Sequence, residues 1–325
     1  MPVMPRSFAS MQAIQYEMQQ RPTMVYTQQN SIGSATRPDG KSINLLTEFG
    51  LDRVLARGGQ AIDEDWAANS SIGYALTGNT AITSLPGMTA LWVIEFMESQ
   101  AAMLQIQTGG DLKCPMILLQ GAAGRASVSQ HANTSAEAKY ANVPGLVVLN
   151  PHKVYDLKGL MHSAIRYGGP VVFTQYSTES SADIPDEPYV VPIGKSQILR
   201  EGKDITIATS PPANLEVEGA ISELDKEGIS AEYFDVRTVK PFDEATLIAS
   251  VKKTGKLMCV SHGYWTNDFS GHIMAVAAMG VPTAKLWRIT YPDGAPPYAR
   301  NMNLWMVPSK DKIVDAVKKF ARTGA

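Results

Sequence analysis

Cysteine is scarce in this chain of 325 residues: Cys114 and Cys259 are the only two, in apolar strand-like runs, with neither paired spacing nor neighbouring zinc-type histidines. That excludes a disulfide framework or zinc cluster and predicts two buried, reduced thiols. Charge of one sign is lacking too. The 29 basic and 31 acidic side chains leave a formal charge of -2, so nothing global favours nucleic acid or an anionic membrane. No apolar run approaches the roughly 20 residues of a membrane span, and Met1 to Ile14 has no secretory apolar block. A cytoplasmic location is the expectation, under which the sequon at Asn133 is a chance match. Walker and dinucleotide-binding loops are absent as well; the one compact glycine cluster, Gly121 to Gly124, has the wrong spacing. Nothing suggests a metal site.

The chain does contain alternating strand and helix signals. Arg6 to Gln20 has helical spacing, and Met24-Val25-Tyr26 reads as a strand. Residues 28 to 43, rich in Gln, Asn, Ser and Gly, read as a loop. Helices are predicted over Ala67 to Thr77 and Trp92 to Gln107, followed by a buried strand from Cys114 to Leu119. Val147 to Leu149, Tyr155 to Arg166 and Val171 to Thr174 make another strand, helix, strand unit. The prolines and acids of residues 178 to 192 read as a linker. Beyond Ile193 the alternation resumes: strands at 204–209, 231–236, 257–261 and 284–289, helices at 215–227, 244–254 and 270–279. The length and this pattern imply two α/β domains with mainly parallel sheets.

The order of short strings along nearly the whole chain resembles the beta subunit of thiamine-diphosphate-dependent 2-oxo-acid (pyruvate or branched-chain) or acetoin dehydrogenases, within the transketolase-like superfamily. The strings include Arg53-Val-Leu, Gly73-Tyr-Ala-Leu-Thr-Gly78, Gln100-Ala-Ala, Gln130-His131, Pro144-Gly-Leu, Asn150-Pro151, Lys158-Gly-Leu and Asp235-Val-Arg-Thr-Val-Lys-Pro241-Phe-Asp243. The resemblance implies two doubly wound domains. Residues 1–180 would form a pyrimidine-binding parallel sheet and 193–325 a transketolase C-terminal-type domain. It also implies thiamine diphosphate shared with an alpha subunit in an α2β2 assembly, with magnesium held through that alpha subunit, and a lipoyl acyltransferase as a further partner. The chain has no Gly-Asp-Gly string of the kind that grips the diphosphate in this family. It would therefore depend on its partner for that grip.

Thiamine chemistry requires a carboxyl group against the aminopyrimidine ring. Counting back from Leu76-Thr-Gly78 in the family register lands on Glu64, within Asp63-Glu-Asp65. Read without that register, the triplet is a solvated turn before a helix N-terminus. His131, beyond a glycine-bearing loop that follows a buried strand, is the second catalytic candidate, for orienting a substrate carboxylate or protonating a developing alkoxide. Gln28, with Gln29, falls where the family has an acidic pair near the cofactor. An aromatic stretch of the family is replaced by Leu85-Pro-Gly-Met-Thr89, in which Leu85 or Met88 would pack on the pyrimidine. Three residues are inserted between Leu55 and Ile62, and a His-Glu pair reads Ser261-His262. Such departures around one pocket point to a non-standard donor, such as a bulkier or cyclic diketone. The alternatives are a split transketolase-like subunit that passes its fragment to an aldehyde, a non-catalytic scaffold subunit, and an independent α/β binding protein.

Overall fold

The structure, a computed structural model, describes residues 3–28, 33–56, 63–86, 90–121 and 137–323. The chain divides into two compact units, the first comprising residues 1–122 and 139–193, the second 123–138 and 194–325.

The first unit holds six parallel strands: β1 (Val25–Gln28), β2 (Val54–Ala56), β3 (Ala81–Leu85), β4 (Met116–Gly121), β5 (Val147–Leu149) and β6 (Val171–Gln175), in the order β5-β6-β4-β3-β1-β2. Strands as apolar as β4 and β6 are buried along almost their whole length, as parallel strands covered on both faces must be. Helix α1 (Arg6–Gln20) packs on α3 (Val154–Tyr167), and α2 (Glu64–Ala75) crosses from β2 to β3. Glu17, buried beneath α1, accepts from His162 Nδ1 and from Arg166 Nε, each at 2.7 Å. Burial, with Arg166, Lys158 and Arg21 nearby, pushes the His162 imidazole down to about 4, so the neutral Nδ1–H form donates here. Residues Ser181–Asp183 pair antiparallel with Val3–Pro5.

The second unit has a five-stranded sheet: β7 (Gln197–Arg200), β8 (Ile205–Thr209), β9 (Ala231–Asp235), β10 (Lys256–Tyr264) and β11 (Lys285–Tyr291), ordered β7-β9-β8-β10-β11. All pair in parallel except β7, which runs antiparallel to β9. Helices α4 (Asn214–Lys226), α5 (Glu244–Thr254), α6 (Phe269–Gly280) and α7 (Lys310–Thr323) accompany them. Asp243 caps α5 and Asp268 caps α6, each accepting a backbone N–H of the first turn. Both sequence-predicted α/β layers are present.

Several elements differ from the sequence reading; the loop expected over 28 to 43 includes an antiparallel strand pair, Ser34–Thr36 with Ser42–Asn44. The edge strand β7 was not expected, because its four residues are all half-buried and show no alternation. The single amphipathic helix expected over Trp92 to Gln107 is a 3₁₀ turn (Ala90–Val93), a π-helical stretch (Phe96–Ala102) and a short α-helix (Met103–Gln107). The wider π turn brings Met97, Ala101 and Ala102 inward. Cys114 and Cys259 are both buried and free. Among the described residues, no helix is long and apolar enough to cross a membrane.

Candidate functional site

In a parallel sheet every strand ends at the same edge, and ligands of open α/β sheets collect there, where loops leave the carboxyl ends. In the first unit that edge is formed by Gln28, Ala56, Leu85, Gly121, Leu149 and Gln175, the last residues of β1 to β6. Register makes neighbours of Gln28 and Ala56, Gln28 and Ser84, Leu85 and Gln120, and Gly121 and Gln175. Because α2 returns the chain from the carboxyl end of β2 to the start of β3, its N-terminus belongs to this edge.

Helix α2 starts where the sequence provides a stop for the preceding loop. Asp63 occupies the cap position and accepts from Trp66 N at 2.8 Å. Glu64 then begins the helix on the face that Ala67, Ala68, Ser71 and Ile72 bury, since positions three and four apart share a face. The small side chains of this face allow close packing on the sheet. Ser71 Oγ donates to Thr27 Oγ1 at 3.1 Å and Thr83 Oγ1 to the Ala67 carbonyl at 3.2 Å, which fixes the helix against β1 and β3. The acidic triplet is thus split by its surroundings. Asp65 is exposed and Asp63 half-buried, whereas Glu64 is 5% exposed. A solvated acidic turn would leave all three in water. The helix N-terminus supplies positive potential beside the buried carboxyl.

Leu85, 3% exposed, gives the edge an apolar wall. Beside it in register, Gln120 is 5% exposed; its Nε2 donates to Thr174 Oγ1 at 3.1 Å, and its Oε1 has no partner among the described residues. A buried amide oxygen left without a donor is costly, so this one marks a place for a ligand hydrogen bond. Sequence reasoning passed over Gln120; the signal was the single polar residue between the apolar run of β4 and Gly121. On β1, Tyr26 bonds Ser84 through its side chain, and burial pushes its phenol up to about 12, so it stays a neutral hydroxyl.

Of the sequence-predicted residues, Glu64 and Leu85 come to this edge, and Gln28 joins them through its backbone as the last residue of β1. His131, Met88 and Gln29 lie outside the described residues. The departure at Ser261-His262 lies in the second unit. There His262 is fully buried against Tyr291, ring centroids 5.3 Å apart, with Nε2 3.7 Å from Glu216 Oε2.

The buried Glu64 carboxyl, the apolar Leu85 and the Gln120 amide oxygen thus all belong to the carboxyl edge of one sheet. Residues 5–176 match the transketolase pyrimidine-binding domain, and residues 194–313 match the transketolase C-terminal domain. The pyruvate dehydrogenase E1 component subunit beta of Rickettsia felis is 33% identical over 284 residues, 85% of this chain and 85% of that protein. The protein of the same name from Rhizobium meliloti is 34% identical, over 84% of this chain but only 60% of its own greater length. The 2-oxoisovalerate dehydrogenase subunit beta of Bacillus subtilis is 29% identical over 94% of this chain and 95% of its own. Among solved structures, a split-gene transketolase described as an inactive beta4 tetramer superposes with a TM-score of 0.76 at 18% identity, covering 98% of this chain and 99% of that one, which shows a shared fold.

Proposed function

Because the chain belongs to the family that joins a transketolase pyrimidine-binding domain to a transketolase C-terminal domain, we propose that it serves as the beta subunit of a thiamine-diphosphate-dependent dehydrogenase. The reaction is cleavage of a C–C bond next to a carbonyl, with the acyl fragment passed to a lipoyl group or another oxidising acceptor. When bound, thiamine diphosphate supplies a nucleophilic carbon whose deprotonation depends on its own aminopyrimidine. This chain's contribution is to hold that pyrimidine and exchange a proton with it.

The observation that carries the reading is the burial of Glu64 alone among three consecutive acids. A carboxyl group in that environment would hydrogen-bond a ring nitrogen without competition from bulk water. Leu85 packs against the ring, the Gln120 amide oxygen accepts from it, and Gln28 lines the approach. His131 acts on the substrate side, as carboxylate anchor or proton donor, and Met88 adds apolar packing. The diphosphate and its magnesium belong to an alpha subunit, with which two copies of this chain form an α2β2 assembly that a lipoyl acyltransferase serves.

Leu85 and Met88 replace aromatic side chains at the same place, so the donor is one that a less planar, more deformable wall accommodates, bulkier than pyruvate. The test is reconstitution with the alpha chain and thiamine diphosphate, assayed on a series of 2-oxo acids and larger diketones with and without an oxidising acceptor. Turnover that requires the acceptor and is faster on larger donors supports the proposal. Fast turnover of pyruvate removes the unusual donor, and turnover with an aldehyde in place of an oxidant replaces the dehydrogenase with a transketolase.

A further inference from the structure

The carboxyl edge of the second sheet holds a titratable group that the proposed chemistry does not use. There β8 ends at Thr209 and continues into Ser210, β10 passes through Cys259 to Ser261, and α6 starts behind the capping Asp268. Between them is a cavity of about 10 Å³, lined by Glu137, Thr209, Ser210, Cys259, Ser261 and Ser270 among others. A space of that size takes one water molecule when at least two polar groups face it.

Glu137 is 4% exposed, and Ser210 Oγ donates to its Oε1 at 3.2 Å. It makes no ion pair with a described residue, and the charge it faces is that of Asp268, of its own sign. Asp268 has more hydrogen-bond donors: Oδ1 accepts from Ser261 Oγ at 3.0 Å and Oδ2 from Ser270 N at 2.9 Å, at the positive end of a twelve-residue helix. Two carboxylates in one dry site do not both stay charged, so the proton falls to Glu137. Burial first, and Asp268 second, raise its pKa to about 8. Of the other groups facing it, β8 contributes hydroxyls only and β10 the Cys259 thiol, which burial pushes up; Lys139 on its own short helix is exposed. Ser270, 3% exposed, lines the same cavity, and its hydroxyl oxygen has no partner among the described residues.

We propose that this cavity is a binding site for one internal water, which joins the uncharged acid of Glu137 to the Ser270 hydroxyl. The water accepts the Glu137 O–H and donates to Ser270 Oγ, which satisfies both. Since the folded-state value lies above the ordinary 4.5, the protonated group's contribution to stability is full below 4.5 and is lost as pH rises to about 8.

The test combines infrared titration of the full chain with melting temperature against pH. Wild type should show the carbonyl band of a protonated, buried carboxylic acid on the acid side of about 8, and a melting temperature that falls with pH across that window. Glu137→Gln keeps the shape without the titration; it should remove the band and flatten this part of the pH profile. Ser270→Ala should fold normally and lose the ordered water in a high-resolution crystal structure. An acid band that survives Glu137→Gln, or its absence from wild type, overturns the proposal. So does a sodium or potassium ion in the cavity, since a cation would hold Glu137 ionised.

Discussion

The carboxyl edges of both sheets carry a buried glutamate, yet the two are buried in different company. Glu64 starts a helix of twelve residues at the sheet edge that also holds Leu85 and the Gln120 oxygen, which has no partner among the described residues. Glu137 meets a hydroxyl, a like charge and a cavity of about 10 Å³. On the proposed function the first setting takes a ligand ring, and the second has space for no more than water. The difference lies in whether the strand ends present large apolar and amide side chains or serines.

That contrast can be broken by substitution. The largest effect is expected from Glu64→Gln, which keeps volume and helix but removes proton exchange; turnover of the assembled enzyme should fall by about 10²-fold to 10⁴-fold, the usual range for a lost general acid–base group. Leu85→Ala removes a buried wall of the same edge and should cost about 2–5 kcal/mol of stability while weakening cofactor binding measured by calorimetry. Asp63→Ala takes the cap from the helix that presents Glu64 and should cost about 1 kcal/mol in denaturant unfolding. Gln120→Leu removes an unsatisfied oxygen but also the hydrogen bond to Thr174, so stability should change by no more than about 1 kcal/mol, while the cofactor dissociation constant should rise about tenfold, the worth of one hydrogen bond to a ligand. If Gln120→Leu and Glu64→Gln were silent while Glu137→Gln abolished turnover, the roles of the two edges would be reversed.

Much of the α/β alternation was legible because buried parallel strands are short apolar runs, as at 116–121 and 171–175, and because Asp243 and Asp268 stand at helix caps. The edge strand β7 was not legible, since a half-buried strand has no distinctive pattern. The π turn at Phe96–Ala102 was hidden for another reason: one extra residue per turn changes which side chains face inward without changing composition. At the candidate site, Glu64 was singled out by register alone, because an acidic triplet does not say which member is buried. Gln120 needed its strand neighbours on the page. Glu137 could not be found locally at all; its partner Ser210 lies 73 residues away, and Asp268 farther still.

The central claim is that the Glu64 carboxyl activates the cofactor from a buried position. The most direct measurement is the turnover number of Glu64→Gln, assembled with its alpha chain and saturated with thiamine diphosphate, alongside proof by sedimentation that the assembly is intact. A loss of about 10²-fold or more with assembly unchanged is the expected result. Turnover close to wild type in an intact assembly would contradict the claim and leave Glu64 a structural acid at a helix start.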